Sequence, residues 1–166
     1  MILKLSVDLP QDQSYIRIIR LLGRTLLEHL KVVDKDVDDI EVVVGELCAN
    51  VIRHSKSVEG RFHVMLEYAA DRVGVVVEDK GQGFSFKDVP EVGTRRADFG
   101  GGERLGGFGL QMVEARADRL EFHRTDPHGT TVRAEKRLHY QTAAAARAAE
   151  KLSDAGGGNA VVNAGD

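Results

Sequence analysis

From Val37 to Ile52 the apolar residues Val37, Ile40, Val44, Leu47 and Val51 recur at spacings of three and four. That period commits the stretch to a helix with one buried side. Glu46 and Asn50 lie four apart, so they stack on one face, and that face borders the apolar stripe. A carboxylate and a carboxamide at the rim of a core suit a crevice between helix and sheet better than bulk water. An ordinary helix edge carrying two polar residues has the same pattern, so the rest of the chain has to decide.

Ahead of this helix, Ile2 to Leu9 alternates as a short edge strand, and Pro10 and Asp12 punctuate it. Tyr15, Ile19, Leu22, Leu26 and Leu30 then share a face, which predicts a helix over 12–30 with Gly23 marking close packing. Asp34 to Asp39 reads as an acidic turn that caps the second helix and sets negative charge at its N-terminus. Beyond it, Phe62, Val64, Leu66 and Tyr68 alternate with Arg61, His63, Met65 and Glu67. After a short turn, Val73, Val75, Val77 and Asp79 point one way, so the side that buries valines ends in a carboxylate, which needs a partner. The stretch from Lys80 to Phe108 is rich in glycine and reads as either a functional lid or a disordered loop. A short helix through Leu110, Val113 and Ala117 follows, then strands over 119–125 and 130–136 joined by Asp126-Pro127-His128-Gly129. The Ala-rich stretch 141–152 can be helical, and 153–166 reads as a mobile tail.

Composition narrows the class. With 42% hydrophobic and 30% charged residues the chain is globular rather than disordered, and 166 residues suffice for one real core. A net charge of −3 leaves no electrostatic footprint for nucleic acid or an anionic membrane. The single cysteine, Cys48, cannot form an internal disulfide and fits a reducing compartment. The N-terminal residues lack a signal-peptide core, and no apolar run approaches the roughly 20 residues that span a bilayer. The expected location is cytoplasmic.

Three further stretches carry candidate chemistry. Asp79-Lys80-Gly81-Gln82-Gly83 places an acceptor-only carboxylate before two glycines, an arrangement that suits a donor such as an exocyclic amine. Gly106-Gly107-Phe108-Gly109-Leu110 runs into a helix, where backbone N–H groups favour an anion. Gly129-Thr130-Thr131 opens a strand. Taken singly, each has a plain reading: an Asp-Gly turn, a flexible linker, a hairpin.

Their order is the informative feature. Helical Glu46-x-x-x-Asn50, then Asp79-x-Gly81-x-Gly83, then a long lid, then Gly107-Phe108-Gly109-Leu110, then Gly129-Thr130-Thr131 resembles the ATP-binding GHKL (Bergerat-fold) superfamily. Within it the likeness is to the small anti-sigma-factor serine/threonine kinases of bacterial partner switching. It runs from about Leu3 to Arg137 and implies an α+β fold: a two-layer sandwich whose mostly antiparallel sheet is backed by helices. It also implies an ATPase domain over 1–138 and a partly disordered extension over 139–166.

By the same resemblance, Asn50 holds Mg²⁺ through its side-chain oxygen, and Glu46 is the general base that takes the proton from a substrate hydroxyl. Asp79 binds adenine, Gly81 and Gly83 shape the pocket, and Thr130 supports the base. Gly107, Gly109 and Leu110 line the triphosphate. Arg104 contacts the nucleotide from the lid, as Arg95 or Arg96 also can. His54 either extends the Glu46–Asn50 face or simply ends the helix. The implied cofactors are ATP and Mg²⁺. The implied partners are a STAS-type anti-sigma-factor antagonist, a sigma factor or other switched regulator, and a second copy of the chain.

Two rival readings stand beside this one. A nucleotide-binding interaction module without phosphotransfer needs the same pocket but no base at Glu46. The ATP-binding domain of a sensor histidine kinase needs a preceding pair of dimerisation helices, for which the residues before the second helix are too few.

Overall fold

The computed structural model describes residues 1–54, 60–79, 108–124 and 129–155. Strand β1 (Leu3–Pro10) leads to helices α1 (Ser14–His29) and α2 (Asp34–His54), then to strands β2 (Arg61–Tyr68) and β3 (Arg72–Asp79). Helix α3 (Phe108–Glu114), strands β4 (Arg119–Arg124) and β5 (Thr130–Arg137), and helix α4 (Ala143–Ala155) complete the described residues. The strands form one sheet in the order β1-β2-β3-β5-β4, antiparallel at every pairing. The α+β sandwich expected from the sequence is the fold.

Alternation in the strands sets the two faces of the sheet. Phe62, Val64, Leu66 and Tyr68 on β2, with Val73, Val75, Val77 and Asp79 on β3, are buried, as their period of two predicts. All but Asp79 meet Val37, Ile40, Val44, Leu47 and Val51 of α2 in a single core. Each such aliphatic side chain contributes about 1.5–3 kcal/mol by leaving water. The other face is polar. There Arg133 donates to Glu67 (2.8 Å) and to Glu135 (3.0 Å), and the absence of a side chain at Gly74 lets its guanidinium lie across β3. Ser6 Oγ, His63 and Asp8 form a chain of contacts, each 3.0 Å long, that ties β1 to β2 on this face.

Helix α1 departs from its expected stripe. The buried positions are Ile19, Gly23 and Leu27, whereas Leu22 is 46% exposed. Gly23 explains the rotation. A Cβ there would come within 3.4 Å of Leu66 and 3.5 Å of Tyr68, so the helix seats its glycine on β2 and turns Leu22 aside. The acidic run from Asp34 also sits differently, because α2 begins at Asp34 and the run forms its opening turns. Asp34 and Asp36 still place negative charge at the positive end of the helix dipole. Asp36 is buried and also joins distant parts of the chain. Its Oδ2 accepts the backbone N–H of His139 (2.8 Å) and lies 2.9 Å from that ring's Nδ1. Gln141 adds a donor to the Val32 carbonyl, so the chain leaving β5 is stapled to the start of α2. Helix α4 extends to Ala155, past the expected limit at Leu152, and Thr142 accepts the Ala145 N–H at its start.

Tyr68 carries a cost. Its hydroxyl is buried, and no partner reaches it among the described residues, while burial pushes the phenol pKa up. Tyr68→Phe is therefore expected to raise the unfolding free energy by about 1 kcal/mol, seen as a higher urea midpoint at unchanged slope. A lower midpoint would show that the hydroxyl is engaged.

Candidate functional site

Two sets of candidate side chains assemble, one on the helix-facing side of the sheet and one between α2 and α3. The first forms where β3 and β5 run side by side. Asp79 ends β3, Thr130 begins β5, and the register places them directly opposite one another. Both are buried, at 2% and 3% exposure. Strand alternation puts Asp79 on the face of Val75 and Val77, so its carboxylate is inward by construction. The sequence named both residues, but only the pairing of β3 with the distant β5 brings them together.

The second set forms where α3 packs against α2. Glu46 and Asn50 share a face of α2, as their spacing requires. Gly109, in the first turn of α3, lies against both. A Cβ built on it would overlap the Glu46 carboxylate and stand 3.8 Å from Asn50 Oδ1. No side chain larger than hydrogen fits there without displacing the glutamate. Asn50 Oδ1 is buried, and no donor reaches it among the described residues. An acceptor oxygen held in that state is costly unless a ligand supplies the missing partner. Leu110 follows, half-buried.

One neighbour was missed by sequence reasoning. Arg53 Nη2 stands 3.7 Å from Glu46 Oε2 and places a positive charge beside that carboxylate. Its spacing of seven from Glu46 was the available signal, since two helical turns return to the same side. Asp39 was missed as well. Its carboxylate binds Lys35 (2.7 Å) and Lys136 (3.2 Å) and stands 3.7 Å from Arg116. Burial opposes its ionised form, but hydrogen bonds from the two lysines outweigh it and hold the pKa below the usual carboxylate value. Gly81, Gly83, Arg95, Arg96, Arg104 and Gly107 lie outside the described residues, as does the side chain of His54.

A five-stranded antiparallel sheet backed by helices, with one polar set on its covered face and the other between α2 and α3, is the architecture of a nucleotide-binding α+β domain. The histidine kinase-like ATPase domain matches residues 9–136, and the chain belongs to that family. Among curated proteins it is similar to the serine-protein kinase RsbW of Bacillus velezensis, 26% identical over 144 residues that span 81% of this chain and 86% of that protein. It is similar too to the RsbW of Halalkalibacterium halodurans, 24% identical over 122 residues, 70% of this chain and 74% of that one. Among solved structures, the RsbU and RsbW domains of a Mycobacterium tuberculosis protein superpose with a TM-score of 0.60 at 20% identity. That match covers 84% of this chain and 34% of the longer one, and it bears on the fold. Among the described residues no helix is long and apolar enough to cross a membrane.

Proposed function

We propose that this chain is an ATP-dependent protein serine kinase that acts as an anti-sigma factor in a partner switch. One observation carries the reading: the start of α3 is pressed onto α2 at Gly109, against a carboxylate and a buried carboxamide oxygen that no donor reaches among the described residues. The names of the relatives, each a serine-protein kinase, support the same class of reaction.

In this reading Asp79 accepts the exocyclic amine of adenine, a donor that an acceptor-only carboxylate suits, and Thr130 supports the base from across the strand pair. Gly81 and Gly83 shape the adenine pocket. Gly107, Gly109 and Leu110 line the phosphates, and Arg104 neutralises part of their charge. Asn50 Oδ1, a neutral hard oxygen in need of a partner, fits Mg²⁺. When bound with the triphosphate, that ion offsets the charge building on the phosphate oxygens. Glu46 takes the proton from the substrate serine as its oxygen bonds to the γ-phosphorus and the bond to ADP breaks. Arg53 keeps a cation beside the base.

The phosphorylated partner is expected to be a STAS-type antagonist, and the regulator held in its absence a sigma factor, with the kinase a homodimer in the cytoplasm. Helix α1 supports a docking role: Ile18, Leu21 and Leu22 are 52%, 61% and 46% exposed on its outer side. We take residues 1–138 as the kinase domain and 139–166 as an extension beyond it; the family match ends at 136. The test is transfer of labelled γ-phosphate from ATP to the small protein that co-purifies from native cells, with the product mapped to serine. ATP binding without any transfer would instead define a nucleotide-dependent interaction module.

A further inference from the structure

Helices α2 and α3 are fastened to each other at two points. At one, Gly109 abuts Glu46 and Asn50. At the other, Arg116, in the turn that follows α3, reaches Asp39 at 3.7 Å. Asp39 and Glu46 are seven residues apart on α2, and Gly109 and Arg116 are seven apart across α3, so the two segments run antiparallel with matched spacing. Val113, midway between the two fastenings of α3, has no exposed surface.

The distal fastening is well built. Asp39 is anchored to α2 by Lys35 and to β5 by Lys136, and both Asp39 and Lys136 are largely buried, at 14% and 13% side-chain exposure. Arg116 also donates to the Met112 carbonyl at 3.3 Å, which satisfies an acceptor in the last turn of α3. One guanidinium therefore joins the end of α3 to a carboxylate that cannot move without α2 and β5. At the proximal fastening Gly109 leaves no room for a methyl group unless the Glu46 carboxylate swings aside.

We propose that Arg116 is a positioning residue for the phosphate end of the site: through Asp39 it sets where α3 lies along α2, and so where Gly109 meets Glu46 and Asn50. A slip of a single residue along a helix is about 1.5 Å, enough to drive Gly109 into the glutamate or to open the contact. The inference rests on the nucleotide reading given above, and it adds that the two ends of the site respond separately. The adenine end, Asp79 and Thr130, is built on the β3–β5 pair rather than on α3 itself.

The test compares Mg-ATP with adenosine by titration calorimetry on the full chain. Arg116→Met keeps the aliphatic stem and removes the charge, and Arg116→Lys restores the charge. Arg116→Met is expected to weaken Mg-ATP binding about three- to tenfold and to leave adenosine within about twofold, with Arg116→Lys recovering most of the loss. Equal weakening of both ligands would reveal a general loosening and overturn the proposal, as would unchanged Mg-ATP affinity. If the unaltered chain binds neither ligand, the nucleotide reading itself fails, an outcome distinct from either.

Discussion

Replacing Glu46 by glutamine is expected to lower phosphotransfer to the antagonist by about 10²–10⁴-fold, the range that a positioned general base supplies. The amide keeps the shape that Gly109 abuts, so α3 retains its seat on α2. Asn50 is untouched, and Mg-ATP affinity should stay within about threefold of the original. The combination is diagnostic, because it separates loss of the proton acceptor from loss of the site. Single-turnover transfer with saturating nucleotide measures the first quantity and equilibrium binding the second. Transfer at an undiminished rate would remove Glu46 from the mechanism and leave the pocket intact.

Asp79→Ala is expected to act on the other quantity. A hydrogen bond from a ligand to a buried charged acceptor contributes about 1.5–3 kcal/mol, so nucleotide affinity should fall roughly ten- to a hundredfold. The loss should appear with adenosine as well as ATP, since the carboxylate sits at the β3–β5 end. The fold should hold. The substitution shortens a buried polar side chain at a strand end, and the valines that precede it keep their burial. Calorimetry with both ligands, beside a thermal melt, distinguishes this outcome from unfolding. Undiminished affinity in a folded variant would remove Asp79 from the base-binding role.

The two substitutions probe residues that were visible in the sequence for different reasons. Glu46 and Asn50 were placed by helical period alone, since a spacing of four can only stack them. Asp79 followed from the strand period, which carried it onto the buried face with Val75 and Val77. The departures arose where a contact with a remote element won over local pattern. Leu22 matched the apolar stripe of α1 but lies outside it, because Gly23 lets the helix approach Leu66 and Tyr68 and rotates its neighbours away. Asp36 belonged to an acidic opening turn, yet its carboxylate is committed to His139, far along the chain. Arg116 had no legible role, since nothing near it in sequence indicates that Asp39 is its partner.

Periodicity is a property of neighbouring residues, and from it came α1 and α2, the alternating strands β1 to β3, the faces they bury and the two polar residues stacked on α2. The order of the glycine-bearing stretches added the family. The meeting of Thr130 with Asp79, the seating of Gly109 on Glu46, and the tie from Arg116 to Asp39 were decided by the tertiary structure. Each of these joins elements separated by long stretches of chain. Their contact depends on how the sheet orders its strands and how helices pack over it, which no local pattern encodes.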